Sequence, residues 1–162
     1  MYATGHYGAA LLAYAPVGYL LLASDPTLAF VGGAGVLLLA TLPDYDLRVP
    51  FVSHRGITHT LLFLLGVAAL LGAVGWQLGQ GSYRPLGGPT RAAAFGAGVG
   101  VIGVGSHLLA DALTPAGVPF LWPLSGESYT LGVARASNTL ANWGLLALGV
   151  FATAAALLLA GP

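Results

Sequence analysis

The chain has 162 residues, of which 57% are hydrophobic and only 6% are charged, and its formal net charge is zero. Five acidic and five basic residues cannot cover a water-facing surface, because an ordinary soluble domain has roughly 25% charged residues. The high hydrophobicity also excludes a disordered chain. Zero net charge gives no indication of nucleic-acid binding, and the absence of Cys excludes disulfides and thiolate metal sites. We therefore expect an integral membrane protein.

Five segments are apolar and long enough, or nearly so, to cross a bilayer as helices, which takes about 20 residues each. They are predicted at 3–23, 27–42, 57–78, 91–113 and 139–160. The first has no cationic leader, so we expect a span and not a cleaved signal peptide. A polar loop at 43–56, a Gly- and Pro-rich loop at 79–90 and a longer connection at 114–138 join the others. The sequence thus predicts one all-α domain over 1–162, a polytopic bundle of about five transmembrane helices.

Most ionisable residues fall on one side of this predicted topology. Because successive spans alternate in direction, the starts of the first, third and fifth helices share a membrane face with the ends of the second and fourth. We call this the site face. Eleven of the Asp, Glu, Arg and His residues lie there: His6, Asp44, Asp46, Arg48, His54, Arg55, His59, His107, Asp111, Glu127 and Arg135. The opposite face has Asp25, Arg84 and Arg91. Charged groups near a bilayer are costly and tend to be functional.

The spacing of these residues indicates shared use. His107 and Asp111 are four residues apart and therefore lie on one helical face, in line with glycines that allow close helix packing. Asp44 and Asp46 would point to the same side of an extended segment. Arg55 and His59 would share a helical face if the third helix begins early enough.

Mixed imidazole and carboxylate ligands suit Zn²⁺, Mn²⁺ or Fe²⁺. Their number exceeds what one tetrahedral ion needs, which favours two ions bridged by a carboxylate, as in phosphoester hydrolysis. Arg55 would bind phosphate oxygens, and His54 would be a further ligand or the general acid or base. The predicted metal ligands are His6, Asp44, Asp46, His59, His107 and Asp111.

Four motifs in this order resemble the YdjM-like family, described as LexA-regulated, inner-membrane-associated, metal-dependent hydrolases. The matching strings are His6, LPDYD at 42–46, HRGITH at 54–59, HLLAD at 107–111, LTPAG at 113–117 and WPL at 122–124. Thr60 departs from the family, where Ser is commoner, but keeps a hydroxyl. The resemblance implies a prokaryotic inner-membrane hydrolase that uses a divalent metal, with zinc the first candidate. The family is also distantly similar to zinc-dependent phospholipases C and P1-type nucleases, which implies phosphoester hydrolysis.

Together these observations predict a membrane-embedded hydrolase that cleaves phosphoesters with metal-activated water. A site at the membrane–water interface makes a lipid phosphate or phospholipid the natural substrate, although a soluble nucleotide could reach the same opening. The alternatives are a metal-binding transporter or sensor and a non-catalytic membrane protein. A transport path requires ionisable groups near the bilayer midplane, and the predicted spans have none there.

Overall fold

The computed structural model describes residues 1–51, 53–81 and 86–161. Arg84, predicted on the face opposite the site face, lies outside these residues. Within them the chain forms five α-helices, two short 3-10 turns and no β-strand, which confirms the all-α prediction. The helices are α1 (Ala3–Leu22), α2 (Pro26–Leu39), α3 (Leu61–Gly79), α4 (Pro89–Ala112) and α5 (Thr139–Ala160), and the 3-10 turns are Pro43–Arg48 and Ile57–His59.

Three of the helices are long and apolar enough to cross a membrane: α3 and α5, each with a mean hydropathy of 2.1, and α4 with 1.6. The fourth apolar helix, α2, has 14 residues and is shorter than a standard span. The helical membrane architecture is therefore confirmed, and the total of five spans stays a prediction.

Side-chain caps determine where several helices begin. The Asp25 carboxylate accepts a hydrogen bond of 3.1 Å from the Leu28 amide at the start of α2. The Thr60 hydroxyl accepts one of 3.1 Å from the Phe63 amide, so α3 begins at Leu61 and not at residue 57. Because residues 57–59 form a separate 3-10 turn, the third helix does not begin early enough for Arg55 and His59 to share one of its faces.

Helices α1 and α5 pack at backbone contact. A Cβ added to Gly8 would overlap the α5 backbone at Leu145, and one added to Gly149 would overlap the Gly8 carbonyl. Such small-residue contacts bring membrane helices together where larger side chains would separate them. This packing fixes the start of α1, and with it His6, against the rest of the bundle.

Helix α4 is central and contacts α1, α2 and α3. A Cβ on Gly96 would overlap the Leu71 carbonyl of α3, and one on Gly103 would lie 2.6 Å from the Leu39 Cβ of α2. The predicted glycine stripe therefore does allow close packing. The same face of α4 continues to His107 and Asp111, so the packing also places these two residues beside the end of α2.

The segment after α2 differs from the prediction. Pro43–Arg48 is a 3-10 helix and not an extended segment. Because a 3-10 helix has three residues per turn, Asp44 and Asp46 do not share one side. Asp46 is instead in contact with His54 and Thr58.

The 114–138 connection folds back onto the helix ends. Its Leu131 amide donates to the Ala112 carbonyl at 2.8 Å, and its Phe120 carbonyl accepts from the Leu61 amide at 2.9 Å. These bonds hold the connection against the end of α4 and the start of α3. His59, which precedes α3, and His107 and Asp111, which are near the end of α4, lie at these helix ends.

Candidate metal centre

Five predicted ligands from four separate parts of the chain meet in one buried cluster. His6 comes from α1, Asp44 and His59 from the two 3-10 turns, and His107 and Asp111 from α4. The three histidines are 0% exposed and Asp111 is 1% exposed. His6 Nε2 lies 3.6 Å from Asp44 Oδ2 and 3.6 Å from Asp111 Oδ1. His59 Nε2 lies 3.4 Å from Asp44 Oδ1 and 3.5 Å from Asp111 Oδ2.

Two imidazole nitrogens face each other inside this cluster, His59 Nε2 and His107 Nε2, at 3.1 Å. His107 Nδ1 lies 2.7 Å from the Ala40 carbonyl oxygen, which can only accept, so this nitrogen carries the proton. His59 Nδ1 faces the Thr58 hydroxyl at 3.0 Å, and that hydroxyl already donates to Asp46. His107 Nε2 therefore presents a lone pair, and a neutral His59 in this tautomer does the same, so a cation between or beside the two Nε2 atoms would satisfy both rings.

Other buried polar atoms of the cluster have no hydrogen-bond partner among the described residues. They are both ring nitrogens of His6 and the Oδ2 atom of Asp111. The His6 ring stacks on that of His107 with centroids 3.8 Å apart. Because an unpaired buried polar atom costs free energy, these atoms fit a bound metal ion, which nitrogen and carboxylate oxygen ligands would hold.

Two groups of ligand atoms satisfy the spacing of a metal site. The first consists of His6, Asp44, His107 and Asp111, and the second of Asp44, His54 and His59; within each group the ligand atoms lie within 4.8 Å of one another. Asp44 belongs to both groups. A carboxylate shared in this way is the arrangement expected for two ions with one bridging ligand.

Asp46, which the sequence predicts as a ligand, belongs to neither group. It is 4% exposed, with Oδ1 2.9 Å from His54 Nδ1. Its Oδ2 accepts from the Thr58 hydroxyl at 2.7 Å and from the Arg55 amide at 3.2 Å. The same oxygen lies 3.4 Å from His59 Nδ1. These are the contacts of a carboxylate that orients two imidazoles from behind, as commonly found around metal-binding histidines.

The Arg55 side chain ties the cluster to the connection after α4. Its Nη2 lies 2.9 Å from Asp111 Oδ1, which also contacts the Met1 amino group. Its Nη1 donates to the Gly117 carbonyl at 2.9 Å and to the Thr114 hydroxyl at 3.3 Å. The guanidinium thus pairs with a predicted ligand, and its predicted contact with phosphate stays a prediction.

His54 lies at the outer edge of the cluster. Its side chain is 40% exposed, and its ring meets that of His59 edge-on at a centroid distance of 5.3 Å. It therefore connects the buried histidines with solvent, a position that suits either role predicted for it.

The carboxylates and imidazoles of the two 3-10 turns alter each other's pKa. Burial raises the pKa of Asp44. The His59 hydrogen bond and the other imidazoles lower the pKa by more than burial raises it, so the net pKa lies below its usual range. Burial likewise opposes ionisation of Asp46, and the hydrogen bonds from His54 and Thr58 outweigh it and lower the pKa. Burial lowers the pKa of His59, but the carboxylates of Asp111 and Asp44, which lie 3.5 and 3.4 Å from its Nε2, raise it above 6.5 overall and favour the protonated ring when no metal is bound.

Three further groups contact the site, and the sequence analysis assigns no role to any of them. The Thr58 hydroxyl bonds Asp46, the Ala40 carbonyl orients His107, and the Thr114 hydroxyl accepts from Arg55. Thr58 and Thr114 lie within the strings quoted for the family resemblance, which is the signal that could have found them. The Ala40 carbonyl is a backbone group and has no side-chain signal.

Comparison with known proteins gives a match over nearly the whole chain. A family model described as YdjM inner membrane protein matches residues 1–161. The inner membrane protein YdjM of Escherichia coli (strain K12) is 46% identical over 102 residues, covering 54% of this chain and 46% of that protein, and the protein of the same name from Shigella flexneri matches to the same extent. The match thus spans about half the length of these relatives. No solved structure matches the chain.

Proposed function

The chain belongs to the YdjM inner membrane protein family and is an integral inner membrane protein, and from this premise we propose that it is a metal-dependent hydrolase of phosphoesters. The observation that carries the proposal is the pair of Nε2 atoms of His59 and His107, which face each other at 3.1 Å while both Nδ1 atoms are held by acceptors. This arrangement supports a bound cation that would take both ring nitrogens as ligands.

The donor set supports Zn²⁺ as the first candidate and two ions as the stoichiometry. Imidazole and carboxylate ligands suit Zn²⁺, with Mn²⁺ and Fe²⁺ as alternatives. Asp44 would bridge the ions, since it is shared by both groups of ligand atoms. When bound, such ions supply Lewis acidity at a phosphoryl oxygen and activate water for attack.

His54 and Asp46 form a pair suited to proton transfer. Asp46 accepts from His54 Nδ1 at 2.9 Å, which leaves Nε2 of a neutral ring as the acceptor on the half-exposed side. His54 Nε2 can serve either as a ligand in the group with Asp44 and His59 or as a base, but not as both at once. In the second role it takes a proton from the attacking water, the water oxygen forms a bond to phosphorus, and the ester P–O bond breaks. The same proton then passes to the leaving oxygen.

Apolar side chains around the site support a lipid phosphate or phospholipid as the substrate. The loops of the site face carry strongly exposed apolar residues, among them Phe51 at 105%, Leu124 at 92% and Leu131 at 74%. Water-facing loops would have polar residues at these positions, whereas loops that lie in the interfacial region of a bilayer bury such side chains among lipids. A substrate that arrives through this region is a membrane lipid.

The test combines metal content with turnover. Purified full-length protein would be analysed for bound zinc, manganese and iron, and then for phosphate or phosphoester release from lipid phosphates, phospholipids and nucleotides in mixed micelles. Asp44→Asn should lose metal and activity together. Glu127→Gln, which removes an exposed carboxylate on the same face, should keep both.

The outcomes separate the candidate functions. Metal-dependent turnover that Asp44→Asn abolishes supports the hydrolase. Stoichiometric metal without turnover of any tested phosphoester would overturn it and favour a metal-binding transporter or sensor. A protein that binds no metal would exclude both.

A further inference from the structure

A second feature lies at the opposite end of the bundle from the metal centre. The C-terminal half of α1, the start of α2 and the first half of α4 enclose a groove of about 700 Å³. Its walls include apolar side chains from two helices: Val17 and Leu21 of α1, and Phe95 and Val99 of α4. The volume of the groove is in the range of small-ligand pockets, and its apolar lining residues recur along both α1 and α4.

The groove has one acidic and one basic side chain at the end where α2 and α4 begin, Asp25 and Arg91. Asp25 caps α2, with one carboxylate oxygen accepting from the Leu28 amide. Arg91 lies in the first turn of α4, and its Nη1 lies 3.4 Å from the place that a Cβ of Gly87 would occupy.

These two opposite charges line the same groove without pairing. Within the described ranges 1–51, 53–81 and 86–161, the ion pairs at 4.0 Å or less do not include one between Asp25 and Arg91. Opposite charges held apart at the end of an apolar groove complement a ligand that itself has two opposite charges and a hydrocarbon chain.

We propose that this groove binds a zwitterionic phospholipid whose headgroup has a primary ammonium. The phosphate would lie against the Arg91 guanidinium, the ammonium would donate to the Asp25 oxygen that does not cap α2, and one acyl chain would lie between α1 and α4. A purely anionic headgroup would meet the Asp25 carboxylate without compensation. A quaternary ammonium has no N–H to donate, so it would gain less from Asp25.

The experiment is native mass spectrometry of the purified full chain with equal amounts of phosphatidylethanolamine, phosphatidylcholine and phosphatidylglycerol of identical acyl chains. The wild type should retain phosphatidylethanolamine in preference to both others. Asp25→Asn keeps a good helix cap and should reduce the preference for phosphatidylethanolamine over phosphatidylcholine by about fivefold, the upper range for a partly exposed ion pair. Arg91→Gln should reduce retention of all three lipids.

The matched control is Arg135→Gln, which removes one exposed cation from the site face and should leave lipid retention unchanged. Thermal unfolding of each variant separates lost binding from lost folding, and Arg91→Lys should recover part of the phosphate affinity. Equal retention of the three lipids by the wild type, stronger retention of phosphatidylglycerol, or wild-type retention by Arg91→Gln would overturn the proposal.

Discussion

Asp46→Asn tests whether the buried Asp46 carboxylate binds the metal directly or positions the histidines that do. The sequence predicts Asp46 as a metal ligand, whereas its oxygens contact His54 Nδ1 at 2.9 Å, the Thr58 hydroxyl at 2.7 Å and the Arg55 amide at 3.2 Å. The substitution keeps the size of the side chain and removes its charge. It leaves one carbonyl oxygen to accept hydrogen bonds and places an NH₂ group, which only donates, where the Thr58 hydroxyl and His59 Nδ1 now meet a carboxylate oxygen.

The expected loss follows from these contacts. A carboxylate behind a metal-binding histidine contributes about 10–100-fold to metal affinity, equivalent to about 1.4–2.7 kcal/mol. Asp46 supports His59 and His54 together, so we expect the upper half of that range. The number of ions bound at saturating metal should not change, because the five clustered ligands of the site remain.

Chelator competition measures the affinity, and elemental analysis at saturating metal measures the stoichiometry. Asp25→Asn is the control, because it makes the same chemical change at the far end of the bundle and keeps the helix cap. Loss of a whole ion in Asp46→Asn would refute the positioning role and support direct ligation. An affinity within about twofold of wild type would refute both roles, since the removed charge touches both histidines.

Further predictions concern pH, packing and Arg55. The pKa of His59 is raised above 6.5 by neighbouring carboxylates, so metal affinity should rise as pH increases through that pKa. The stability that protonated His59 contributes to the metal-free protein should be lost over the same pH window. Metal titrations and thermal unfolding across pH measure these two opposite trends. Gly8→Ala should destabilise by about 1–3 kcal/mol, since a Cβ there overlaps the α5 backbone, whereas Gly144→Ala has no neighbour within 4 Å and should be neutral; denaturation midpoints compare them. Arg55→Lys should keep metal content and lower the melting temperature, because lysine cannot reproduce the fork that joins Asp111 to Gly117.

Hydrophobicity and caps made most of the fold predictable. The fifth helix is observed at 139–160 as predicted, because Asn138 caps it where the apolar run begins. The start of the third was misplaced because Ile57 is apolar, whereas Thr60 is the actual cap. Apolar content marks the membrane-embedded stretch, and only the capping hydrogen bond marks the first helical residue.

Residue type and topology were enough to bring the cluster together, but not to assign each carboxylate. His6, Asp44, His59, His107 and Asp111 meet as the alternation of helices predicts. The environment of Asp46 depends on a 3-10 turn that the sequence does not distinguish from an extended segment. The bond from Arg55 to Asp111 depends on an Arg55 φ of 59°, a left-handed conformation that is uncommon for a residue other than glycine.

Burial of polar ligands destabilises one end of α4, whereas close glycine packing stabilises the rest of the helix. At the site face α4 buries His107 and Asp111, which costs free energy unless a cation compensates for it. Glycines along α4 and α1 bring the backbones into contact and gain packing energy over the rest of the span. The packing can therefore hold the ligands in place before an ion binds, and binding then stabilises the folded state by mass action. In this chain the close helix contacts therefore offset the free energy that the buried polar cluster costs before an ion binds.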